Sequence, residues 1–313
     1  MRALTIQDGS LVVEDRPDPE PGRGEVLVRV RGAGINGADM LQRAGAYPAP
    51  PGSPPDIPGL ELAGEVSALG PGARRFGEGD RVMALAGGGG QAELAVVHER
   101  VAMPVPQHLD WPQAGGLPEV FTTAHDAIFT QAGLRPGERL LVHGAAGGVG
   151  TAAVQLGRAM GARVTATVRR EEHRAEVKKL GGNAISPEGF GDSGPYDVIL
   201  ELVGASNLAE NLDSLALGGR IAVIGVGGTG PVAEINLVAV MQKRARIHGS
   251  TLRARPLEEK AICARRVEKE VLPGFEDGTL TVPVADTYPL EDAQAAYERF
   301  AAGGKLGKVV LLP

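Results

Sequence analysis

Apolar positions follow two different rhythms along this chain. From residue 1 to about 117 they fall in short runs broken by Gly and Pro. Residues 1–15, MRALTIQDGSLVVED, read as two short strands about a turn. Residues 25–35 (EVLVRVRGAGI) alternate and then bend, and 60–70, 79–85 and 92–106 repeat that strand-like pattern. Strands at this spacing predict a small barrel or sandwich. Residues 48–58 are Pro-rich and 87–90 are all Gly, so both are expected loops. Long loops in a compact domain are often functional.

From about residue 118 strand-like and helix-like stretches alternate. RLLVH (139–143) predicts a strand, VGTAAVQLGRAMG (149–161) a helix, RVTATV (163–168) a strand and EEHRAEVKKLG (171–181) a helix ending at Gly. AIS (184–186), YDVILELVG (196–204) and RIAVIGVGG (220–228) continue the strands. This order calls for a parallel sheet covered on both faces, an α/β doubly wound arrangement. A helix over 257–272 and a last strand, KVVLLP, close the chain.

Composition narrows the classes. Hydrophobic residues make up 43% and charged residues 22%, as in globular proteins, and aromatics only 4%, so the core rests on aliphatic side chains. A net charge of -6 gives no electrostatic reason to expect nucleic acid or a membrane surface as partner. The N-terminus lacks the pattern of a signal peptide, and no apolar run approaches a membrane span. Cys263 is the single cysteine, so no intrachain disulfide can form, which fits a cytoplasmic protein.

The chemistry concentrates at Gly144-Ala145-Ala146-Gly147-Gly148-Val149-Gly150, set between a strand and a helix. Glycine lets the backbone approach a pyrophosphate, and a helix N-terminus offers free N–H groups and partial positive charge. A nicotinamide dinucleotide is expected, held by Ala146, Gly147, Gly148, Val149 and Gly150. The second strand ends at Val168 and is followed by Arg169 and Arg170. Dinucleotide sites place an acid about 20 residues past the turn for NAD, or an Arg for the 2′-phosphate of NADP. Arg169 and Arg170 therefore point to NADPH, unless they are only solvated charges before a helix. Glu171 and Glu172 follow and are able to bind ribose, which keeps NADH open.

Other chemistries lack their signatures. Six scattered His and one Cys show no HExxH or CxxC spacing, so no metal site is expected. There is no GxSxG elbow. His143, just before the turn, is expected to pack beneath the cofactor rather than to catalyse.

Several segments together resemble a known family: HGAAGGVG (143–150), INGADMLQRAGAYPAPPG (35–52), PGLELAGEV (58–66), GGGGQAELAVV (87–97), LPEVFTTAHDAIF (117–129) and GSTLRARP (249–256). They resemble the zinc-free quinone oxidoreductases of the medium-chain dehydrogenase/reductase superfamily, especially the tumour-suppressor-inducible, zeta-crystallin-like branch. The resemblance implies a GroES-like β-rich catalytic domain made of 1–117 and 256–313, with a Rossmann-type NADP-binding domain, 118–255, inserted into it. It implies a substrate and cofactor cleft between the domains. Zinc-dependent relatives carry Cys where this chain has Asn36 and His where it has Leu60.

Residue by residue, the resemblance implies that Asn36 lies by the nicotinamide and that Tyr47 faces the quinone. Both are the catalytic candidates. Thr122 or Thr123 would lie near the ribose and phosphates, with Gly225 among the cofactor residues. Leu252 and Arg253 would close over the cofactor, with Lys308 near it. Relatives often carry Tyr soon after the third strand, where this chain has Ser186. Taken alone, Asn36 reads as a turn cap, Tyr47 as loop packing and Arg253 as a surface partner of an acid. The expected reaction is hydride transfer from NADPH to a quinone. The alternatives are an enone or enoyl-thioester reductase, or a non-catalytic NADPH-binding protein with a structural, sensing or RNA-associated role. A homodimer or tetramer is expected, with 232–241 as a candidate interface or an internal helix.

Overall fold

The computed structural model describes all 313 residues. The chain forms two compact units, Met1–Thr122 with Leu252–Pro313, and Thr123–Thr251.

In the first unit β1 (Arg2–Gln7) and β2 (Ser10–Asp15) form a hairpin. They are followed by β3 (Glu25–Gly34), α1 (Gly37–Arg43), β4 (Glu61–Leu69), β5 (Arg81–Leu85), β6 (Leu94–His98), β7 (Ala102–Pro104), α2 (Trp111–Gly115) and α3 (Pro118–His125). The stretch 92–106, expected as one strand, is two, because a turn at 99–101 interrupts it. In the second unit come β8 (Arg139–Val142), α4 (Gly148–Ala159), β9 (Arg163–Thr167), α5 (Arg174–Lys179), β10 (Asn183–Ile185), β11 (Tyr196–Glu201), α6 (Leu208–Asp213), β12 (Leu215–Val223), α7 (Leu237–Lys243) and β13 (Arg246–Gly249). The chain returns to the first unit with α8 (Leu257–Glu270), α9 (Leu272–Glu276), β14 (Val284–Pro289), α10 (Ala293–Ala301) and β15 (Lys308–Leu312).

The first unit is built on a sheet ordered β14-β15-β3-β4-β5-β7, with β6 paired to β3. Its strands run antiparallel except β14 and β15. Along β3 every second side chain (Val26, Val28, Val30) is buried against Leu62, Val66, Val82 and Val97, as a one-sided antiparallel sheet requires. On the far side of β15, Val309 and Leu311 pack with Tyr297 and Leu290.

The second unit holds a six-stranded sheet, parallel throughout, ordered β10-β9-β8-β11-β12-β13. Its central strands β8 and β11 are nearly continuous apolar runs because both faces are covered. Leu141, Ile199 and Ile221, on three neighbouring strands, share one core with Tyr196, Phe190 and Leu212. Strand order reverses between β8 and β11, which places a ligand-binding crevice at their carboxyl ends.

The expected helix over 171–181 is a 3-10 turn, Glu171–His173, followed by the short α5. The expected helix over 257–272 ends at Glu270, and α9 begins at Leu272 with Pro273 in its first turn. Strand β12 begins five residues before the expected start at Arg220. The segment 232–241 is not an internal helix: Val232, Leu237 and Met241 are strongly exposed. No helix is long and apolar enough to cross a membrane.

Candidate functional site

In the second unit, β8 delivers the glycine turn to the point where strand order reverses. Gly144 has φ +60, a left-handed conformation that favours glycine. Helix α4 starts after Gly147, whose backbone is extended, and no side chain caps its first amides. This 12-residue helix therefore presents free N–H groups and its positive end to an anion. Gly147 and Gly148 and the flanking Ala146 and Val149 are partly exposed, so a ligand can reach them. Gly150 is buried, and a Cβ there would come within 2.5 Å of the Gly144 carbonyl oxygen and 2.6 Å of Ala145 Cα. The glycine lets the helix start lie tightly against the turn. At Gly225 a Cβ would meet the Leu202 carbonyl oxygen at 2.9 Å. This cradle fits the pyrophosphate of a dinucleotide.

Beneath the turn lies a hydrogen-bond chain whose full extent the sequence did not reveal. The Gly144 amide donates to Thr167 Oγ1 at 3.3 Å, and His143 Nδ1 lies 3.1 Å from the same hydroxyl. His143 Nε2 lies 2.8 Å from Asn211 Oδ1, while Asn211 Nδ2 donates to Glu201 Oε2 at 2.8 Å. One assignment satisfies every member. The Thr167 hydroxyl donates to His143 Nδ1, and His143 Nε2–H donates to the Asn211 carbonyl. Burial lowers the His143 pKa below its ordinary value, against the pull of the Glu201 carboxylate, and so favours this neutral form. Glu201, 3% exposed, also accepts from the amides of Val203 (2.7 Å) and Gly204 (2.9 Å). The loops leaving β8 and β11 are thus tied together.

At the end of β9, Arg169 is exposed and unpaired, and Arg170 donates to Glu172 at 3.3 Å, both side chains in solvent. Arg174, missed in the sequence, joins them: its Nε donates to the Val168 carbonyl at 3.2 Å, leaving its terminal nitrogens for a ligand. Its only sequence signal is a basic residue one helical turn after Arg170. The Ser186 hydroxyl donates to the Glu188 carboxylate. Thr123, also in this unit, is half-buried.

In the first unit, Asn36 stands at the start of α1, and Asp39 accepts from its amide at 2.8 Å, a local helix-start contact. Asp39 also accepts from the Gly59 amide at 3.0 Å. Burial raises its pKa to about 6, against those two amides and the nearby Lys308 and Arg253 cations. The Asn36 side-chain amide donates to Glu61 Oε1 (2.9 Å) and to the Gly34 carbonyl (3.2 Å), and its Oδ1 accepts from Lys308 Nζ (2.8 Å). Lys308 Nζ also reaches Glu61 Oε1 at 2.6 Å and donates to the Ile35 carbonyl at 2.9 Å. All three ammonium protons of Lys308 are engaged, and only an Asn36 Oδ1 lone pair remains for a ligand. Glu61 Oε2 accepts from the Glu119 amide at 2.8 Å. Thr122 is buried and its hydroxyl has no hydrogen-bond partner.

Tyr47 is half-buried in the loop after α1. Burial and the Glu119 carboxylate raise its phenol pKa, while Arg253 pulls it down. Arg253 is 3% exposed and bonded to backbone and to Gln42, not to a surface acid. Leu252 is buried with Leu85 and Cys263 in a small apolar cluster. No group of three or more His, Cys, Asp or Glu stands where it could hold a metal ion.

Comparison with known proteins agrees with this architecture. Residues 22–107 match the family "Alcohol dehydrogenase GroES-like domain" and residues 148–266 the family "Zinc-binding dehydrogenase". The quinone oxidoreductase of Rattus norvegicus is 34% identical over 100% of this chain and 98% of its own. A mycobacterial protein solved in complex with NADPH superposes with a TM-score of 0.88 at 28% identity, covering 100% of both chains. An NAD-dependent alcohol dehydrogenase gives the same TM-score, identity and coverage. The chain belongs to the quinone oxidoreductase family of the medium-chain dehydrogenase/reductase superfamily.

Proposed function

We propose that this oxidoreductase transfers a hydride from NADPH to an ortho- or para-quinone without a metal ion. The observation that carries the reading is the uncapped start of α4 after Gly147, at the reversal point of the parallel sheet. The full-length likeness to a quinone oxidoreductase supplies the acceptor class. The reduced nicotinamide supplies the hydride when bound. The α4 amides of Gly148, Val149 and Gly150 hold the pyrophosphate. Arg169, Arg170 and Arg174 offer guanidinium groups to a 2′-phosphate, which supports NADPH over NADH. Thr122 and Thr123 bind toward the ribose and phosphates, and Asn36 Oδ1 orients the nicotinamide.

The acceptor asks little of the protein. A quinone is electrophilic and gains aromaticity on reduction, so alignment and exclusion of water do most of the work. Tyr47 donates a hydrogen bond to the quinone oxygen. Its raised pKa keeps the phenol protonated at neutral pH and makes it a poor acid. Water then supplies the proton that completes the hydroquinone. No metal enters this scheme: the Asn36 and Leu60 positions offer no thiolate or imidazole. Steady-state assay of NADPH and NADH against quinones and enones tests the reading, and turnover confined to enones would replace it.

A homodimer formed through β13 fits the second unit. This edge strand is bonded only to β12, and Val232 (86% exposed), Leu237 (67%) and Met241 (75%) lie near it in sequence. The lone, buried Cys263 fits a cytoplasmic site of action.

A further inference from the structure

Arg253 is a buried cation without a carboxylate partner. Its Nε donates to the Gly87 carbonyl at 2.7 Å, one Nη to the Tyr47 carbonyl at 3.0 Å, and the other Nη to Gln42 Oε1 at 2.6 Å. Gln42 is itself buried and passes the contact on, donating to the Pro55 carbonyl at 3.1 Å. The guanidinium carbon lies 5.3 Å from the centroid of the Tyr47 ring. One side chain thus joins α1, both ends of the Pro-rich loop and the glycine run at 87–90. The loops also meet directly: a Cβ at Gly88 would stand 3.1 Å from the Pro54 carbonyl oxygen and 3.2 Å from that of Ile57.

Burying a guanidinium is costly unless its donors are met in good geometry. Here three of its five N–H donors are met by neutral acceptors, Gln42 on α1 and the carbonyls of Tyr47 and Gly87 on two loops that lack secondary structure of their own. Two of the contacts converge on Tyr47, one on its backbone and one on its ring face. A planar fork makes both at once, whereas an ammonium makes a single point contact.

We propose that Arg253 is the positioning residue for Tyr47, fixing the direction of the phenol and, through the two loops, the size of quinone admitted. The proposal rests on the reading that Tyr47 engages the acceptor. Leu252 beside it anchors the segment in the apolar cluster, so Arg253 acts from a fixed base.

The test compares Arg253→Lys, Tyr47→Phe and the double variant with wild type. KM and kcat are measured for NADPH and for a small and a bulky quinone, with thermal unfolding recorded alongside. Arg253→Lys is expected to lower kcat/KM for quinone by up to about 10²-fold, the scale of a misplacement of about 1 Å. It should leave KM for NADPH unchanged and change the ratio of small to bulky quinone. The double variant should be no worse than the poorer single one, because Arg253 acts through Tyr47. Losses that multiply, or a loss that falls on NADPH, overturn the proposal.

If Arg253→Lys does not fold, Gln42→Met removes one acceptor of the fork, and the same pattern at smaller amplitude is required. A second readout needs no turnover. The Tyr47 phenol titration, taken as wild type minus Tyr47→Phe by ultraviolet difference absorbance, should move upward in Arg253→Met. A wild type that reduces no quinone refutes the proposed reaction alone, and an unmoved phenol titration refutes the positioning role.

Discussion

Lys308→Met separates a structural ion pair from a cofactor contact. Lys308 is 3% exposed and Glu61 0%, and the ammonium reaches Glu61, Ile35 and Asn36 within 2.6 to 2.9 Å. Removing it leaves the Glu61 carboxylate buried with only the Asn36 side-chain amide and the Glu119 backbone amide. Breaking a buried pair from one side costs about 3–5 kcal/mol, because an uncompensated charge remains. Taking out both charges in Lys308→Met with Glu61→Gln should recover half or more of that loss. Urea unfolding followed by Trp111, the single tryptophan, reports the first unit directly. NADPH affinity is titrated in parallel by nicotinamide fluorescence. A loss below about 1 kcal/mol together with a large fall in NADPH affinity would refute the reasoning and return Lys308 to the cofactor.

Three further outcomes follow from the same geometry. Replacing Arg169, Arg170 and Arg174 together with Ala should raise KM for NADPH at least about tenfold, as lost charge-assisted bonds of a few kcal/mol require, and leave KM for NADH nearly unchanged in steady-state kinetics. Met241→Glu places a charge on the exposed apolar segment; if the proposed dimer forms through it, light scattering after gel filtration should read wild type as dimer and the variant as monomer. Asp39 has its folded pKa raised to about 6 from 3.8, so its contribution to stability is fully present below 3.8 and is lost as pH rises through 6. Unfolding curves should therefore show Asp39→Asn gaining on wild type between pH 4 and 7, by up to about 3 kcal/mol for a shift of that size.

Much of this architecture is legible in the residues because it is local. The glycine turn and its flanking strand and helix lie within some twenty consecutive residues, and the parallel strands announce themselves as apolar runs. Strand β13 does not: its residues are exposed or half-buried at the sheet edge, so Arg246–Gly249 shows no apolar pattern. Helices α2 and α3 are short and rich in small or polar residues, and the π-helical stretch Asp126–Gln131 has no simple period. The site divides in the same way. His143 reads as a residue beneath the cofactor, yet its partner Asn211 is 68 positions away. Arg253 meets Gln42 across 211 positions and Lys308 meets Asn36 across 272. Family likeness brings these residues to notice, but only the folded chain shows that Lys308 has all its protons engaged and that Arg253 faces Tyr47.

The central claim is most directly tested by one steady-state panel on protein dialysed against a chelator, with NADPH or NADH offered to ortho- and para-quinones and to enones. The account predicts NADPH oxidation with quinones, undiminished by the chelator and with kcat/KM above that for NADH. Tight NADPH binding without turnover of any quinone, or activity that returns only on adding zinc, would contradict it.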